Sequence, residues 1–288
     1  MTAAADATRG VRLTGAKLAS EIRARVTVSA AALIEAGRPP KLAVVVATAD
    51  ESTAWYVRSI AGAAAKVGIA CDIVSPEGAT SGEEIAATLR RLSGDPSVHG
   101  VILQTPLPPG VSLAQAASAI DPDKDVDGAS PNSLGRLAAR LPAFPPATAQ
   151  AVVALLDHYR LPMAGRHAVV VGRSTVVGKP VAHLLLDRDA TVTICHSQTA
   201  NLSDMTRQAD VLVAAVGRAG LIKRDHVSPG TVVIDVGTNA TEDGGLAGDV
   251  DAAVEGHVAG LTPVPGGVGP VTVALLLEHT IRAAEKVG

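Results

Sequence analysis

The chain has 288 residues, 47% of them hydrophobic, and a formal net charge of −3. That composition excludes a disordered chain, leaves no basic footprint for nucleic acid, and fits one large or two medium globular domains. Two cysteines without metal-ligand spacing, no apolar run of membrane-spanning length and no leader-like core in MTAAADATRG predict a soluble, cytoplasmic protein that touches no membrane.

From residue 41 onward, strand-length apolar runs alternate with helical stretches. KLAVVVAT (41–48) reads as a buried strand, 52–67 as an Ala-rich helix and ACDIVSP (70–76) as a second strand. SGEEIAATLRRLSGD (81–95) is a helix capped by Ser81, with Ile85, Leu89 and Leu92 on one face. VHGVILQTPLP (98–108) is a third strand and 112–120 a short helix. Between 121 and 149 the pattern breaks into DPDKDVDGASPNSLG and LPAFPPATA, which is loop chemistry, and a domain hinge belongs there. After a helix at 149–159 the alternation resumes: strands at 167–172, 190–196, 210–217 and 230–237, with helices at 177–189 and 202–209. A Gly/Pro loop and a long apolar helix close the chain. Strand–helix alternation implies parallel sheets with crossover helices, hence an α/β protein of two domains, the second a Rossmann-type dinucleotide-binding domain. The expected division is 1–148, completed by the final helix 270–288, and 149–269.

GRSTVVG (172–178) follows a strand and opens a helix, where glycines admit a pyrophosphate and the helix N-terminus favours the anion. An ordinary tight turn would read the same way. The next strand ends in His196 and Ser197, without the carboxylate that usually takes a ribose 2′-hydroxyl. With Arg173 in the first turn, this favours a 2′-phosphate, hence NADP over NAD. KDVDG (124–128) reads either as a solvated turn or as a carboxylate for the donor face of an amidine or pyrimidine. Gln104 ends a strand where open α/β sheets bind ligands, or else caps that strand. TPVPGGVGP (262–270), with three prolines and three glycines, fixes an unusual path suited to a ligand-shaping loop.

The strings HGVILQTPLP, DPDKDVDG, VVVGRSTVVGKP, VIDVGTN and TPVPGGVGPVTVALL, in this order, resemble the FolD family. That family is the bifunctional methylenetetrahydrofolate dehydrogenase/methenyltetrahydrofolate cyclohydrolases. The resemblance implies two α/β domains with a folate cleft between them, tetrahydrofolate derivatives as substrates, NADP as cofactor and a homodimer. It implies a catalytic set of Tyr56, Gln104 and Asp127, which also contacts the folate together with Pro263, Val264, Pro265, Gly266 and Gly267. For NADP it implies Gly172, Arg173, Ser174 and Ser197, with Thr238 where the family carries an apolar residue after VIDVG.

The family pattern Tyr-x-x-x-Lys is broken in AWYVRSI (54–60), where the lysine position holds Ile60. Thr105 follows Gln104 in place of leucine, VVVATAD replaces a strand ending in Val-Gly-Asp, and Ala147-Thr148-Ala149 replaces Cys-Thr-Pro. Arg58 points about 200° away from Tyr56 on a helix and titrates too high to shuttle protons. Lys66 lies on another face. Hydride transfer is mostly a positioning task, whereas methenyl hydrolysis needs a titratable group. The expectation is an NADP-dependent dehydrogenase with weak or absent cyclohydrolase activity. Its alternatives are a bifunctional enzyme with a relocated proton shuttle and a non-catalytic folate/NADP-binding protein. An unrelated Rossmann reductase would not carry the 262–270 loop.

Overall fold

A computed structural model describes residues 10–48, 50–76, 81–241 and 243–286. The leader reading of the first ten residues therefore falls almost entirely outside the described residues, as does the end of the final helix at 287–288. In chain order the elements are β1 (Val11–Arg12), α1 (Ala16–Glu35), β2 (Lys41–Val46), α2 (Glu51–Lys66), β3 (Ala70–Val74), α3 (Gly82–Gly94), β4 (Gly100–Gln104), α4 (Leu113–Ala117), α5 (Pro131–Ala138) and α6 (Ala147–His158). There follow β5 (His167–Val171), α7 (Gly178–Leu186), β6 (Thr191–Cys195), α8 (Leu202–Thr206), β7 (Val211–Ala214), β8 (Val232–Asp235), β9 (Asn239–Ala240), β10 (Leu246–Ala247), β11 (Gly260–Leu261) and α9 (Val268–Lys286).

The chain forms two compact units. One comprises residues 20–147 and 273–288. Its sheet is parallel, in the order β3-β2-β4, with Leu42 opposite Gly100 and Val46 opposite Gln104. Ala43, Val45, Val101 and Leu103 alternate onto one face, where Ile85, Leu89 and Leu92 of α3 and Ala116 and Ala117 of α4 cover them. Ser81 caps α3 as expected, in a full capping box with Glu84.

The other unit comprises residues 1–19 and 148–272. Its sheet is six-stranded and parallel, in the order β1-β11-β8-β7-β5-β6. Val169, Val171, Leu212, Ala214 and Val233 pack there with Ile222, Val254 and Val258. The N-terminal segment, expected with the first domain, goes with this one because Val11 and Arg12 pair with Gly260 and Leu261 and so extend its sheet. Neither unit is one continuous stretch of chain.

Helices α1 and α5 and strands β1 and β11 run against the sequence reading. Helix α1 was not anticipated: its buried Ile22, Val26 and Leu33 are diluted by alanines and charges. Helix α5 lies in the segment read as loop. Ser130 caps it, accepting from the Ser133 N–H, and Pro131 takes its first turn, where a missing N–H costs nothing. Strands β1 and β11 have two residues each, too short for a period to register.

Candidate functional site

In the first unit, Tyr56 sits half-buried in the second turn of α2. Burial pushes its phenol up to about 12, and the carboxylate of Asp127 adds to the shift. One turn on, Ile60 is wholly sealed from solvent and ranks among the largest fully buried side chains. Position 60 is therefore core. Gln104 ends β4, and its Nε2 donates to the Thr105 carbonyl at 2.8 Å. The bond from Thr105 to Pro106 is cis.

KDVDG is not a solvated turn. Asp125 lies alongside Val101 of β4 and is fully buried. Its carboxylate accepts from the N–H groups of Ala129 at 3.1 Å and Ser130 at 2.9 Å, and from Ser133 Oγ at 2.6 Å. It thereby fixes the start of α5. Lys124 donates to the Asp95 carbonyl at 2.6 Å, and the Val126 carbonyl meets His279 Nδ1 at 2.7 Å. Asp127, the other carboxylate of KDVDG, is half-buried. Burial, and then Asp125, raise it to about 7, against the backbone N–H of Ala147 at the start of α6, which favours its ionised form. Tyr56 and Asp127 thus come within electrostatic reach of each other.

In the second unit, the strands on either side of β5 are β6 and β7, so the chain order reverses there. That is the crevice where doubly wound sheets bind dinucleotides. Gly172 leaves β5 at φ 128°, and a Cβ on it would lie 2.1 Å from the Ala215 carbonyl oxygen. A Cβ on Gly178 would lie 2.2 Å from the Gly172 carbonyl oxygen. Both positions require glycine to bring β5, the loop after β7 and α7 together. Ser174 Oγ accepts from the N–H of Val177 at 3.1 Å and of Gly178 at 3.4 Å, which leaves its hydroxyl hydrogen to donate. Ser174 also accepts the Lys179 N–H at its carbonyl, 3.0 Å, and Pro180 brings no N–H, so Ser174 itself closes the opening turn of α7.

Arg173 and Ser197 are both exposed. The Gly172 N–H donates to the Cys195 carbonyl at 2.8 Å, and Val171 pairs with Cys195, so both residues stand at the carboxyl ends of adjacent strands. The turn at 196–199 closes by a Thr199 N–H to His196 carbonyl bond of 2.8 Å. Thr238 is exposed three residues beyond β8. In the proline–glycine loop, Pro263 and Gly267 are buried, Val264 and Gly266 are half-buried, and Pro265 is exposed after a cis Val264–Pro265 bond. The Gly266 carbonyl accepts from the Gly15 N–H at 2.8 Å. Among the described residues no helix is long and apolar enough to cross a membrane.

Sequence reading passed over two buried carboxylates, Asp235 and Asp249. Both lie in strings, VIDVGTN and GDVD, whose aspartates gave no outward sign of pairing across fourteen residues.

Two family models match successive stretches of the chain. The catalytic domain of tetrahydrofolate dehydrogenase/cyclohydrolase matches residues 13–127, and the NAD(P)-binding domain of the same enzymes matches 146–287. A Saccharopolyspora erythraea protein named bifunctional protein FolD 1 is 66% identical over 275 residues, covering 95% of this chain and 94% of that one. The crystal structure of the bifunctional FolD enzyme from Campylobacter jejuni superposes with a TM-score of 0.91 at 37% identity, over 96% of this chain and 99% of that one. The Trypanosoma brucei dehydrogenase-cyclohydrolase, solved with NADP cofactor and inhibitor, gives a TM-score of 0.88 at 35% identity, over 96% and 97%.

Proposed function

The chain belongs to the tetrahydrofolate dehydrogenase/cyclohydrolase family, and from that premise we propose that it oxidises 5,10-methylenetetrahydrofolate with NADP and hydrolyses the methenyl product weakly or not at all. The observation that carries the dehydrogenase half is the Gly172–Gly178 turn, which stands where the strand order of the sheet reverses and leaves the Ser174 hydroxyl hydrogen to donate. Arg173 and Ser197 take the 2′-phosphate, Ser174 donates to the pyrophosphate, and Thr238 lines the crevice beyond β8. When bound, NADP supplies the hydride acceptor. Tyr56 and Gln104 orient the folate, and Asp127 accepts from its pterin amidine. A homodimer, implied by the family likeness, completes this reading, and sedimentation tests it.

The cyclohydrolase half turns on Ile60. Hydrolysis needs a group that gives and takes a proton, and loss of one such group costs about 10²- to 10⁴-fold in rate. Ile60 has none. The second reading is full bifunctionality with the proton carried elsewhere, and the name of the relative at 66% identity favours it. A two-wavelength assay decides, following NADPH formation and methenyltetrahydrofolate disappearance separately. The expected trace shows methenyltetrahydrofolate accumulating in step with NADPH. Methenyl consumption far above the uncatalysed rate would refute the monofunctional reading.

A further inference from the structure

Two carboxylates in the dinucleotide unit lie outside the set just assigned, and both are buried. Asp249 Oδ2 accepts from the backbone N–H of Val216 at 2.6 Å and of Gly217 at 3.0 Å. Its Oδ1 accepts from the Arg218 N–H at 2.8 Å and from Asn239 Nδ2 at 3.0 Å. Donors from two separate loops thus converge on one carboxylate. Asp235, the last residue of β8, holds Asp249 in turn. Its Oδ1 accepts from the N–H groups of Asp249 and Gly237, each at 2.9 Å, and its Oδ2 from the Val250 N–H at 3.0 Å. The packing leaves no slack: a Cβ on Gly237 would lie 2.4 Å from Asp249 Cγ, and one on Gly248 would lie 1.8 Å from Asp235 Oδ2.

The course of the two loops gives this anchoring a purpose. The loop after β7 presses on the nucleotide turn, since the Ala215 N–H donates to the Val171 carbonyl at 2.8 Å and Ala215 abuts Gly172. The loop after β8 carries Thr238 between Gly237 and Asn239, both in contact with Asp249. Three successive amides at 216–218 also form the kind of concavity that binds anions. Here the chain's own carboxylate fills it.

We propose that Asp249, held by Asp235, is a positioning residue for the dinucleotide, its carboxylate setting the loops 215–218 and 236–239 in the posture that receives NADP. This rests on the NADP-binding reading above. The sharpest probe is Asp249→Asn in the full chain. An amide keeps the shape but offers one accepting oxygen and a group that only donates, so donors on one side lose their acceptor. NADP and a folate analogue are titrated separately, alongside steady-state kinetics. The expected result is an NADP dissociation constant and KM raised by about tenfold or more, as for loss of hydrogen bonds to a charged group. The folate analogue should bind as before, and kcat at saturating NADP should fall far less than KM rises. An unchanged NADP constant overturns the proposal, and so does equal weakening of both ligands, which marks general loosening. Should Asp249→Asn not fold, Asn239→Ala decides, since it withdraws one donor and leaves the carboxylate: selective loss of NADP affinity supports the proposal, and no loss overturns it. A wild-type chain that ignores NADP would overturn the NADP reading together with this one.

Discussion

On the proposed reading, Asp127 sets the pH response of folate binding. Its carboxyl is raised to about 7, chiefly by burial. A pterin amidine donates to the ionised form, so below that pH binding must first strip a proton. The KM for methylenetetrahydrofolate should therefore fall as pH climbs through about 7 and then level. Asp127→Asn should bind folate weakly and without that pH dependence, while NADP binding holds; steady-state profiles of both forms check it. His279 couples pH to stability rather than to binding. It is sealed between the Val126 carbonyl and the Phe144 ring, 5.1 Å from its own, and burial lowers it to about 4. The unfolded chain takes up this proton first, near the ordinary value of 6.5, so stability falls as pH drops from there to about 4. The full loss is on the order of 3 kcal/mol. Urea unfolding of wild type and His279→Gln, in neutral and mildly acidic buffer, should show the variant less stable at neutral pH but flatter with acid. At Arg173 the expected change is in selectivity. Arg173→Ala should lower the preference for NADP over NAD by roughly tenfold to a hundredfold, read as the ratio of kcat/KM values.

Helix α2 carries both sides of the proposed functional contrast, with Tyr56 half-buried and Ile60 sealed one turn away. Ile60→Lys would place an ammonium in apolar surroundings, where its pKa drops toward neutrality and it can shuttle a proton. We expect a gain in methenyl hydrolysis coupled to a lower melting temperature, both measured on the purified variant. The spacing of Tyr56 and Ile60 was legible in the sequence; the burial of Ile60 was not, because it depends on what packs against α2 from elsewhere. The same limit explains the other differences. Strands β2, β4, β5 and β7 were legible as short Val-rich runs because both faces of a parallel strand are covered. Helix α5 was not, because its cap and proline stand in a stretch dense with turn residues and its order depends on Asp125, a buried acceptor supplied from outside the helix. The glycines of GRSTVVG announced a close approach, but the partner, Ala215, lies more than forty residues away. The Asp235–Asp249 pair was silent for the same reason.

Across the whole molecule, ligand and stability are linked through the dinucleotide unit. NADP at a hundredfold its dissociation constant should stabilise that unit by about 2.7 kcal/mol, visible as slowed hydrogen exchange at the amides of β5, β7 and β8. The division into units has a further consequence for how the protein is made. The unit of residues 20–147 also contains 273–288, and α9 supplies it with buried Leu275, Leu276, Leu277 and Ile281. During vectorial synthesis the ribosome delivers β2, α2, β3 and β4 early, yet the apolar surface they leave for α9 stays open until the entire dinucleotide unit has emerged. The unit whose greater part is made first is thus the last completed. Nascent chains stalled before residue 273 should bind chaperones through the early segment and remain protease-sensitive there, and release of α9 from the tunnel should end both.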